Sequence, residues 1–484
     1  MTAYLTVLAG LFTLRLSAQN PAVSVQWDHV IQESKTTPTL QVVVNPMLKR
    51  GSPIHDGSFH ALKDLGADYV RFVPWFPYPH AAVAELKPPT GDSTFWDFSH
   101  VDPIVADFME ATEGHSVIMN FSTIPVWMFK TKKPVAIPSD PDQVFWGYNQ
   151  GMELRDTTLK EVTDYFVRLF SWYTQGGFTD ELGQYHKSGH HYTFQYWEVL
   201  NEPDLEHHIP VSLYTRIYDA VVTALKKIAP ETAFVGLSLA YENDPSYFAY
   251  FLNPENHQPG VPLDWISYHF YGRPDFKAQD LDHYQYSFFN MANEFLAKVR
   301  YIEHIRKRLA PNTHTTINEI GNILGDQQGK AIDPAYWNVS GAMYAYLYVN
   351  LAQIGIDVAG ESQLVGYPTQ FPSVSMMNWT NGKPNARYWV LKLLKTHFGP
   401  GDQLVATRSA AGQVVAQAFI TDEGKKLLLI NKRNTAVTMV LPEAADGAAA
   451  HIVDKTTAEN PPRETQLTGH QITLAPFAVA VIQL

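Results

Sequence analysis

The chain has 484 residues, of which 45% are hydrophobic and 17% charged, and its formal net charge is -12 at pH 7. This composition excludes a largely disordered chain, and the acidic balance argues against nucleic acid as a partner. Because the sequence contains no cysteine, it also excludes disulfides, zinc–thiolate sites and a thiol nucleophile. The length predicts one large domain and a smaller one.

The N-terminal segment predicts export. Thr2 to Leu14 is mostly apolar, and the following residues resemble a signal-peptide cleavage site after Ala18. We therefore expect residues 1–18 to be a signal peptide and the protein to be secreted or periplasmic; an N-terminal strand is the alternative. The apolar run is too short to span a membrane, and no other segment reaches the ~20 apolar residues required, so no membrane partner is expected.

Strands and helices are predicted to alternate through most of the chain. The strands are short runs rich in Val, Ile, Tyr and Phe, at 40–44, 69–75, 116–121, 192–202, 233–237, 264–271, 313–321 and 356–359. Helical patterns follow them at 58–65, 101–111, 159–173, 213–228, 247–252, 290–309, 337–354 and 387–398. Eight such units predict an α/β fold closed into a (β/α)8 TIM barrel. A doubly wound open sheet is the alternative, but no Gly-x-Gly-x-x-Gly sequence opens the first helix.

The pattern changes after Gln403. Short β runs separated by Asp-Glu-Gly, Asp-Gly and Pro-Pro turns are predicted at 414–420, 426–430, 437–441, 451–453 and 472–482. They predict a small antiparallel β-sandwich. We assign residues 19–402 to the barrel and 403–484 to the sandwich, with residues 19–38 as a candidate additional strand of the sandwich.

Two predicted barrel strands end in Asn-Glu. Asn201 and Glu202 precede Pro203, which ends ladder pairing, at the end of strand four, and Glu319 follows an asparagine at the end of strand seven. These two strand ends lie across the barrel mouth from each other, so their carboxylates can converge on one ligand. Such a pair cleaves glycosidic bonds, with the carboxyl groups about 5 to 5.5 Å apart in retaining enzymes. Burial should raise the pKa of one carboxyl group, while Arg71, at the end of strand two, keeps the other ionised.

The run from Trp197 to Asp204 resembles the acid/base strand of the clan A glycoside hydrolases. The order of motifs and the trailing β-sandwich look most like glycoside hydrolase family 39, which holds β-xylosidases and α-L-iduronidases. The resemblance extends from about Leu40 to the C-terminus. It implies a retaining double displacement on an oligosaccharide or polysaccharide, with Glu202 as acid/base and Glu319 as nucleophile and without a cofactor.

The same resemblance implies roles for further residues. Asn201 is expected to bind the 2-hydroxyl of the sugar, and His269 and Tyr271 are expected to line the site from strand six. The predicted eighth strand offers no obvious aromatic residue for the pocket floor, so Trp379 is the candidate for that place.

Several other side chains have a structural interpretation beside the functional one. Glu198 shares the strand parity of Glu202 but lies deeper, which favours a hydrogen-bonded structural role. Glu361 is either a third pocket acid or an ordinary rim residue. Trp75 and Trp127 are candidates for stacking on sugars, whereas core packing is favoured for Trp197.

No metal site is predicted. The pairs His190-His191 and His207-His208 point in opposite directions on a strand and lack further ligands at the usual spacing. Alternative functions remain open: a carbohydrate-binding barrel that has lost turnover, a clan A glycosidase of another family (an endo-glycanase, glucuronidase or arabinofuranosidase), and a barrel hydrolase that uses a carboxylate together with a metal. The presence of both rim glutamates argues against the binding protein, and loss of activity in a chelator would favour the metal-dependent hydrolase.

Overall fold

Eight parallel strands close into a barrel in the computed structural model, which describes residues 20–146, 152–274, 280–324, 331–368 and 371–484. We number them one to eight: Thr37–Val44, Val70–Pro74, Val117–Met119, Tyr196–Glu198, Ala233–Leu239, Trp265–Gly272, His314–Asn322 and Val358–Glu361. Each pairs in parallel with the next, and strand eight pairs with strand one. The predicted TIM barrel is therefore confirmed. The predicted signal peptide lies outside the described residues.

Helices surround the barrel and bury their apolar faces against the strands in one continuous core. They are His55–Leu65, Pro79–Ala82, Asp102–Ala111, Lys160–Thr174, Val211–Leu225, Pro245–Phe251, Leu281–Leu309, Pro334–Ile354 and Ala386–His397. Side chains of Asp280, Asp333 and Asn385 accept hydrogen bonds from backbone N–H groups at the starts of the last three helices, which satisfies otherwise unpaired donors. Within the described ranges, no helix is long and apolar enough to cross a membrane.

Shorter elements decorate the loops of the barrel and of the C-terminal region. In the part of the chain that the structure describes, 3-10 helices occur at Pro46–Leu48, Val126–Met128, Pro254–Asn256, Pro372–Val374 and Glu443–Ala445. A two-stranded hairpin pairs Gly177–Thr179 with Tyr185–Lys187. None of these elements interrupts the order of the barrel strands.

The C-terminal region is a β-sandwich made of a seven-stranded antiparallel sheet and a two-stranded ribbon. The sheet runs in the order Val23–Glu33, Gln403–Ser409, Val414–Thr421, Gly424–Asn431, Val479–Gln483, Ala449–Val453 and Arg463–Gln466. The ribbon pairs Val437–Val440 with Gln471–Leu474. The single strand predicted at 472–482 is thus two strands separated by a turn, where Phe477 adopts a φ of 53°. The N-terminal strand Val23–Glu33 forms one edge of the sheet.

Alternate residues of the central sheet strands face two different cores, as the period of a β-strand requires. Leu428 and Ile430 belong to the barrel core. Leu427 and Leu429 belong to a separate core between the sheet and the ribbon. The sheet is therefore packed directly against the barrel.

Candidate active site

The carboxyl ends of the barrel strands surround a cavity of about 520 Å³. In TIM barrels this end carries the functional site. Its lining combines aromatic, aliphatic and carboxylate side chains: Val43, Val73, Trp75, Phe76, Trp146, Asn201, Glu202, Leu205, Glu206, Ala240, Tyr241, Tyr271, Arg273, Glu319, Ile323, Gln363, Phe371 and Val374. All of these residues belong to the barrel region, so the β-sandwich contributes none of the described lining.

Glu202 and Glu319 meet in this cavity. One carboxylate oxygen of each, together with one ring nitrogen of His269, lies within 4.8 Å of the others. An oxygen of one carboxylate is therefore close enough to an oxygen of the other for both to contact one sugar, and the separation of about 5 to 5.5 Å between carboxyl groups that accompanies retention stays a prediction. The structure thus brings together the two carboxylates that the sequence paired.

Strand four is shorter than predicted, and this determines where Glu202 lies. The ladder ends at Glu198, and both Leu200 and Glu202 adopt a left-handed backbone, with φ values of 65° and 41°. The N–H of Glu202 then donates to the carbonyl of Ser238 over 2.8 Å, at the end of strand five. The chain therefore leaves the sheet at the point where the acid enters the cavity.

A register shift explains how strand seven presents two consecutive polar side chains to the barrel interior. Its pairing with strand six shifts between Thr316 and Glu319, as in a β-bulge. Asn318 donates to Glu198 over 2.9 Å, while Glu319 accepts from Arg71 over 2.5 Å. In a regular strand consecutive side chains would point to opposite faces, and one of these contacts would be lost.

Arg71 is the central donor beneath the carboxylates. Its guanidinium bonds Glu198, Glu319 and Asn201, the last through Nη2 over 2.6 Å. The sequence predicted this residue at the end of strand two, but it is the second residue of that strand and is fully buried below the cavity lining. The length of the arginine side chain lets it reach the carboxylates from that depth.

His269 and Tyr271 contact the carboxylates from strand six. The Nδ1 atom of His269 lies 2.8 Å from Glu202 Oε1 and 3.5 Å from Glu319 Oε2, and the hydroxyl of Tyr271 donates to Glu319 Oε2 over 2.6 Å. Tyr271 lines the cavity, as expected. His269 was expected to line it as well, but this ring is fully buried behind the two carboxylates.

These surroundings separate the pKa values of the two carboxyl groups. Burial raises the pKa of Glu202, the Glu319 carboxylate reinforces the shift, and the contact with His269 opposes it only in part. Burial acts on Glu319 in the same direction, but His269, Arg71 and Tyr271 outweigh it and bring its pKa below the usual range. The pocket therefore favours a protonated Glu202 and an ionised Glu319, the division of roles that acid and nucleophile need.

A third carboxyl group, Glu206, lines the cavity and was missed by sequence reasoning. Its Oε1 accepts from Asn201 Nδ2 over 2.9 Å. Burial raises the pKa of Glu206 well above the usual range, and the nearby Glu202 and Glu319 add to the shift. Its position four residues after Glu202, in the segment that leaves strand four, was the available signal.

The aromatic wall of the cavity comes from loops. The ring centroid of Trp75 lies 5.2 Å from that of Trp146 and 5.9 Å from that of Phe371. Trp146 and Phe371 are 49% and 40% exposed, so their faces are available to a ligand. Trp379 was the predicted floor, but its indole N–H donates to the Gly366 carbonyl and it does not belong to the described lining.

The other aromatic and acidic candidates lie outside the cavity. Trp127 donates to the backbone of Glu85, and Trp197 is buried among Phe121, Phe166 and Phe170. Glu198 accepts hydrogen bonds from four buried side chains: Arg71, Asn120, Ser267 and Asn318. Glu361 is buried and paired with Arg387 over 2.9 Å, and burial raises its pKa to about 7. These contacts give both acids structural positions.

Within the described ranges, Glu202, His269 and Glu319 form the group of side chains that could hold a metal ion. The two carboxylate oxygens of Glu319 already accept hydrogen bonds, one from Arg71 and the other from Tyr271. The two carboxylates also raise the pKa of His269 despite its burial, which disfavours the neutral imidazole that a metal requires. This donor set therefore fits a protonated network better than a cation.

Comparison with known proteins shows which domains and folds this chain resembles. The family model described as "D-apionate lactonase, C-terminal immunoglobulin-like domain" matches residues 411–482, within the β-sandwich. The comparison with curated proteins finds no significant sequence match.

Solved structures share the fold over nearly the whole chain. The GH51 α-L-arabinofuranosidase from Thermotoga petrophila RKU-1 has 16% identity and a TM-score of 0.62, covering 96% of this chain and 99% of that one. A glucosidase from Croceicoccus marinus has 14% identity and a TM-score of 0.61, with coverages of 96% and 98%. A GH30 endoxylanase from Clostridium papyrosolvens C71 has 13% identity and a TM-score of 0.55, with coverages of 95% and 99%. The chain thus has a fold found among glycoside hydrolases of families 51 and 30, and the likeness to family 39 stays a prediction.

Proposed function

We propose that the protein is a retaining glycosidase that cleaves O-glycosidic bonds in oligosaccharides or polysaccharides. The observation that carries the proposal is the convergence of Glu202 and Glu319, whose oxygens lie within 4.8 Å and whose pKa values shift in opposite directions. Glu319 attacks the anomeric carbon while Glu202 protonates the leaving oxygen. Water activated by Glu202 then hydrolyses the glycosyl-enzyme with net retention.

The surroundings of the pair support this cycle. Arg71 and Tyr271 hold Glu319 as a carboxylate, and His269 orients Glu202. The exposed faces of Trp146 and Phe371 offer apolar surfaces on which sugar rings stack. Family 39-like specificity, with β-xyloside as the reference substrate, remains part of the proposal, and so does export to the periplasm or the medium.

The test is a panel of aryl glycosides comprising xyloside, arabinofuranoside, glucoside, glucuronide and iduronide. Turnover of at least one, with NMR showing that the first-formed sugar keeps its anomeric configuration, supports the proposal. Glu319→Gln keeps the shape of the side chain but removes the nucleophile, so it serves as the matched inactive control. First-formed product of inverted configuration would contradict the double displacement.

The match of residues 411–482 favours one second candidate, hydrolysis of a sugar lactone. A carboxylate pair could activate water for attack on the lactone carbonyl. Acid release from a panel of aldonolactones, measured with a pH indicator, distinguishes the two activities. Lactone turnover that both Glu202→Gln and Glu319→Gln lower strongly, in a protein that cleaves none of the glycosides, would favour this candidate.

A further inference from the structure

Among the carboxyl groups of the described cavity lining, Glu206 is the one that the proposed mechanism leaves unused. Its backbone N–H donates to the carbonyl of Glu202 over 2.7 Å, which fixes it one turn beyond the acid. Its side chain faces the cavity together with those of Glu202 and Glu319. A carboxyl group held at this position lies beside the reacting pair.

Asn201 determines the direction of this carboxyl group. A guanidinium only donates hydrogen bonds, so the contact of Arg71 Nη2 with Asn201 Oδ1 over 2.6 Å turns the amide nitrogen away from Arg71. That nitrogen donates to Glu206 Oε1 over 2.9 Å. An amide nitrogen carries two hydrogens, so the second N–H is available to a ligand next to Glu206.

The chemistry of Glu206 suits a sugar hydroxyl. Its Oε2 has no hydrogen-bond partner in the part of the chain that the structure describes, and no lysine or arginine there forms an ion pair with it. Burial and the two neighbouring carboxyl groups raise the pKa of Glu206. A neutral carboxylic acid can both donate and accept, and a hydroxyl group needs both from its partners.

We propose that Glu206 is a further substrate-binding residue, whose Oε2 exchanges a hydrogen bond with the sugar hydroxyl that Asn201 contacts. The family resemblance already implies that Asn201 binds the hydroxyl on the carbon next to the reacting carbon, and the role of Glu206 is the new element. This inference rests on the proposed glycosidase function and narrows its substrates to sugars that carry a hydroxyl there. Asn201 donates its second N–H to that hydroxyl, and Glu206 exchanges a hydrogen bond with it through Oε2. Sugars that lack this hydroxyl leave both polar groups without a ligand partner, so they are poor substrates.

The test compares an aryl glycoside with its 2-deoxy counterpart in wild type, Glu206→Ala and Glu206→Gln. We expect Glu206→Ala to lower kcat/KM for the parent glycoside about 10- to 100-fold, the usual effect of losing one buried hydrogen bond. For the 2-deoxy glycoside the same variant should change kcat/KM less than about threefold, because the hydroxyl is already absent. Glu206→Gln keeps an acceptor and a donor, so it should retain the discrimination between the two substrates.

Two controls separate binding from folding. Glu294→Ala removes an exposed carboxylate from the helix Leu281–Leu309, away from the cavity lining, and should leave both substrates unaffected. Glu206→Asp withdraws the carboxyl group by one methylene and should reproduce the substrate-dependent loss, even if Glu206→Ala fails to fold. Equal losses on both substrates, or no loss on either, would overturn the role of Glu206. A wild type that cleaves no glycoside would instead overturn the proposed function.

Discussion

At the scale of single residues, Glu202 and Glu319 differ in their contacts rather than in their chemistry. Glu319 accepts from two donors, Arg71 and Tyr271, whereas the strongest contact of Glu202 is with the ring of His269. Donors that bond a carboxylate stabilise its ionised form, and burial without enough of them favours the protonated form. The assignment of nucleophile and acid therefore follows from the positions of these neighbouring side chains.

Alanine variants should separate the two roles. Glu319→Ala removes the atom that forms the glycosyl-enzyme, so activity should fall for every substrate. Azide should restore part of it with an inverted product. Glu202→Ala should spare aryl glycosides with good leaving groups, but slow natural glycosides by about 10²- to 10⁴-fold, and here azide should give a retained product. NMR of the azide products checks the assignment, and the opposite stereochemistry would exchange the roles.

Tyr271→Phe should change the pH profile without removing a reacting atom. The hydroxyl stabilises the ionised form of Glu319, so its loss raises the pKa of Glu319. The nucleophile must be ionised, and the acidic limb of kcat/KM should therefore move to higher pH. The basic limb, which reports the protonated Glu202, should move little. Tyr241→Phe is the matched control, because Tyr241 lines the same cavity and contacts neither carboxylate in the described ranges. An unchanged acidic limb would contradict this role of Tyr271.

Site residues at the ends of strands could be predicted from the sequence, whereas site residues in loops could not. Asn201, Glu202 and Glu319 could be found because a strand end, marked by proline or a motif, fixes where a side chain points. The position of Trp379 could not be found in this way, since the path of a loop depends on tertiary contacts and not on a local period. The same reason hid the contributions of Trp146 and Phe371 to the wall.

At the scale of elements, the end of strand four depends on the end of strand five. Leu237 and Ser238 have left-handed φ values of 76° and 51°, and the Ser238 carbonyl accepts from the N–H of Glu202. Asp204 reinforces this link, because its two oxygens accept from the N–H groups of Ala240 and Tyr241, each over 3.0 Å. The acid therefore lies in a segment that is tied to its neighbour and not in a free loop.

Asp204→Ala should loosen both strand ends together. It removes two hydrogen bonds that position the segment carrying Glu202 and the loop carrying Tyr241. We expect kcat/KM to fall roughly tenfold or more, since small displacements of catalytic groups are costly. Asp204→Asn keeps one acceptor and should lie between this variant and wild type. Steady-state kinetics on the best aryl glycoside measures kcat/KM for wild type, Asp204→Asn and Asp204→Ala. Equal values in all three proteins would show that the hydrogen bonds of Asp204 are not needed for activity.

The order of the barrel elements could be predicted, whereas their irregularities could not. Eight apolar runs alternating with amphipathic helices have few alternatives to a parallel barrel. The three-residue length of strand four and the register shift in strand seven depend on partner strands that are distant in sequence. These irregularities are what bring Glu202 and Glu319 into the cavity, so the pair was predictable while its detailed geometry was not.

At the scale of the whole molecule, the β-sandwich completes the barrel core. Phe419 lies with its ring centroid 4.3 Å from that of Phe398, just after the last barrel helix, and both belong to the barrel core. Leu404 and Val481 also face the barrel. The strand Val23–Glu33 pairs with the first sheet strand after the barrel, so both ends of the described chain are joined in one sheet. Removing the sandwich would expose an apolar face of the barrel to water.

Truncation before Gln403 should therefore destabilise the barrel while leaving every described cavity residue in the chain. It exposes the barrel side of the interface and leaves Val23–Glu33 without a partner strand, so we expect aggregation or a marked loss of Tm.

Phe419→Ala is a milder change at the same interface, and it should lower the free energy of unfolding by ~3–5 kcal/mol. Thr438→Ala, on the outer ribbon, removes only a solvent-accessible hydrogen bond to the Thr473 hydroxyl, so it is the control and should change stability little. Calorimetry measures the stability of the two variants, and the solubility and Tm of the truncated chain test whether the barrel needs the sandwich. A truncated barrel that stays soluble with an unchanged Tm would show that the two domains fold independently.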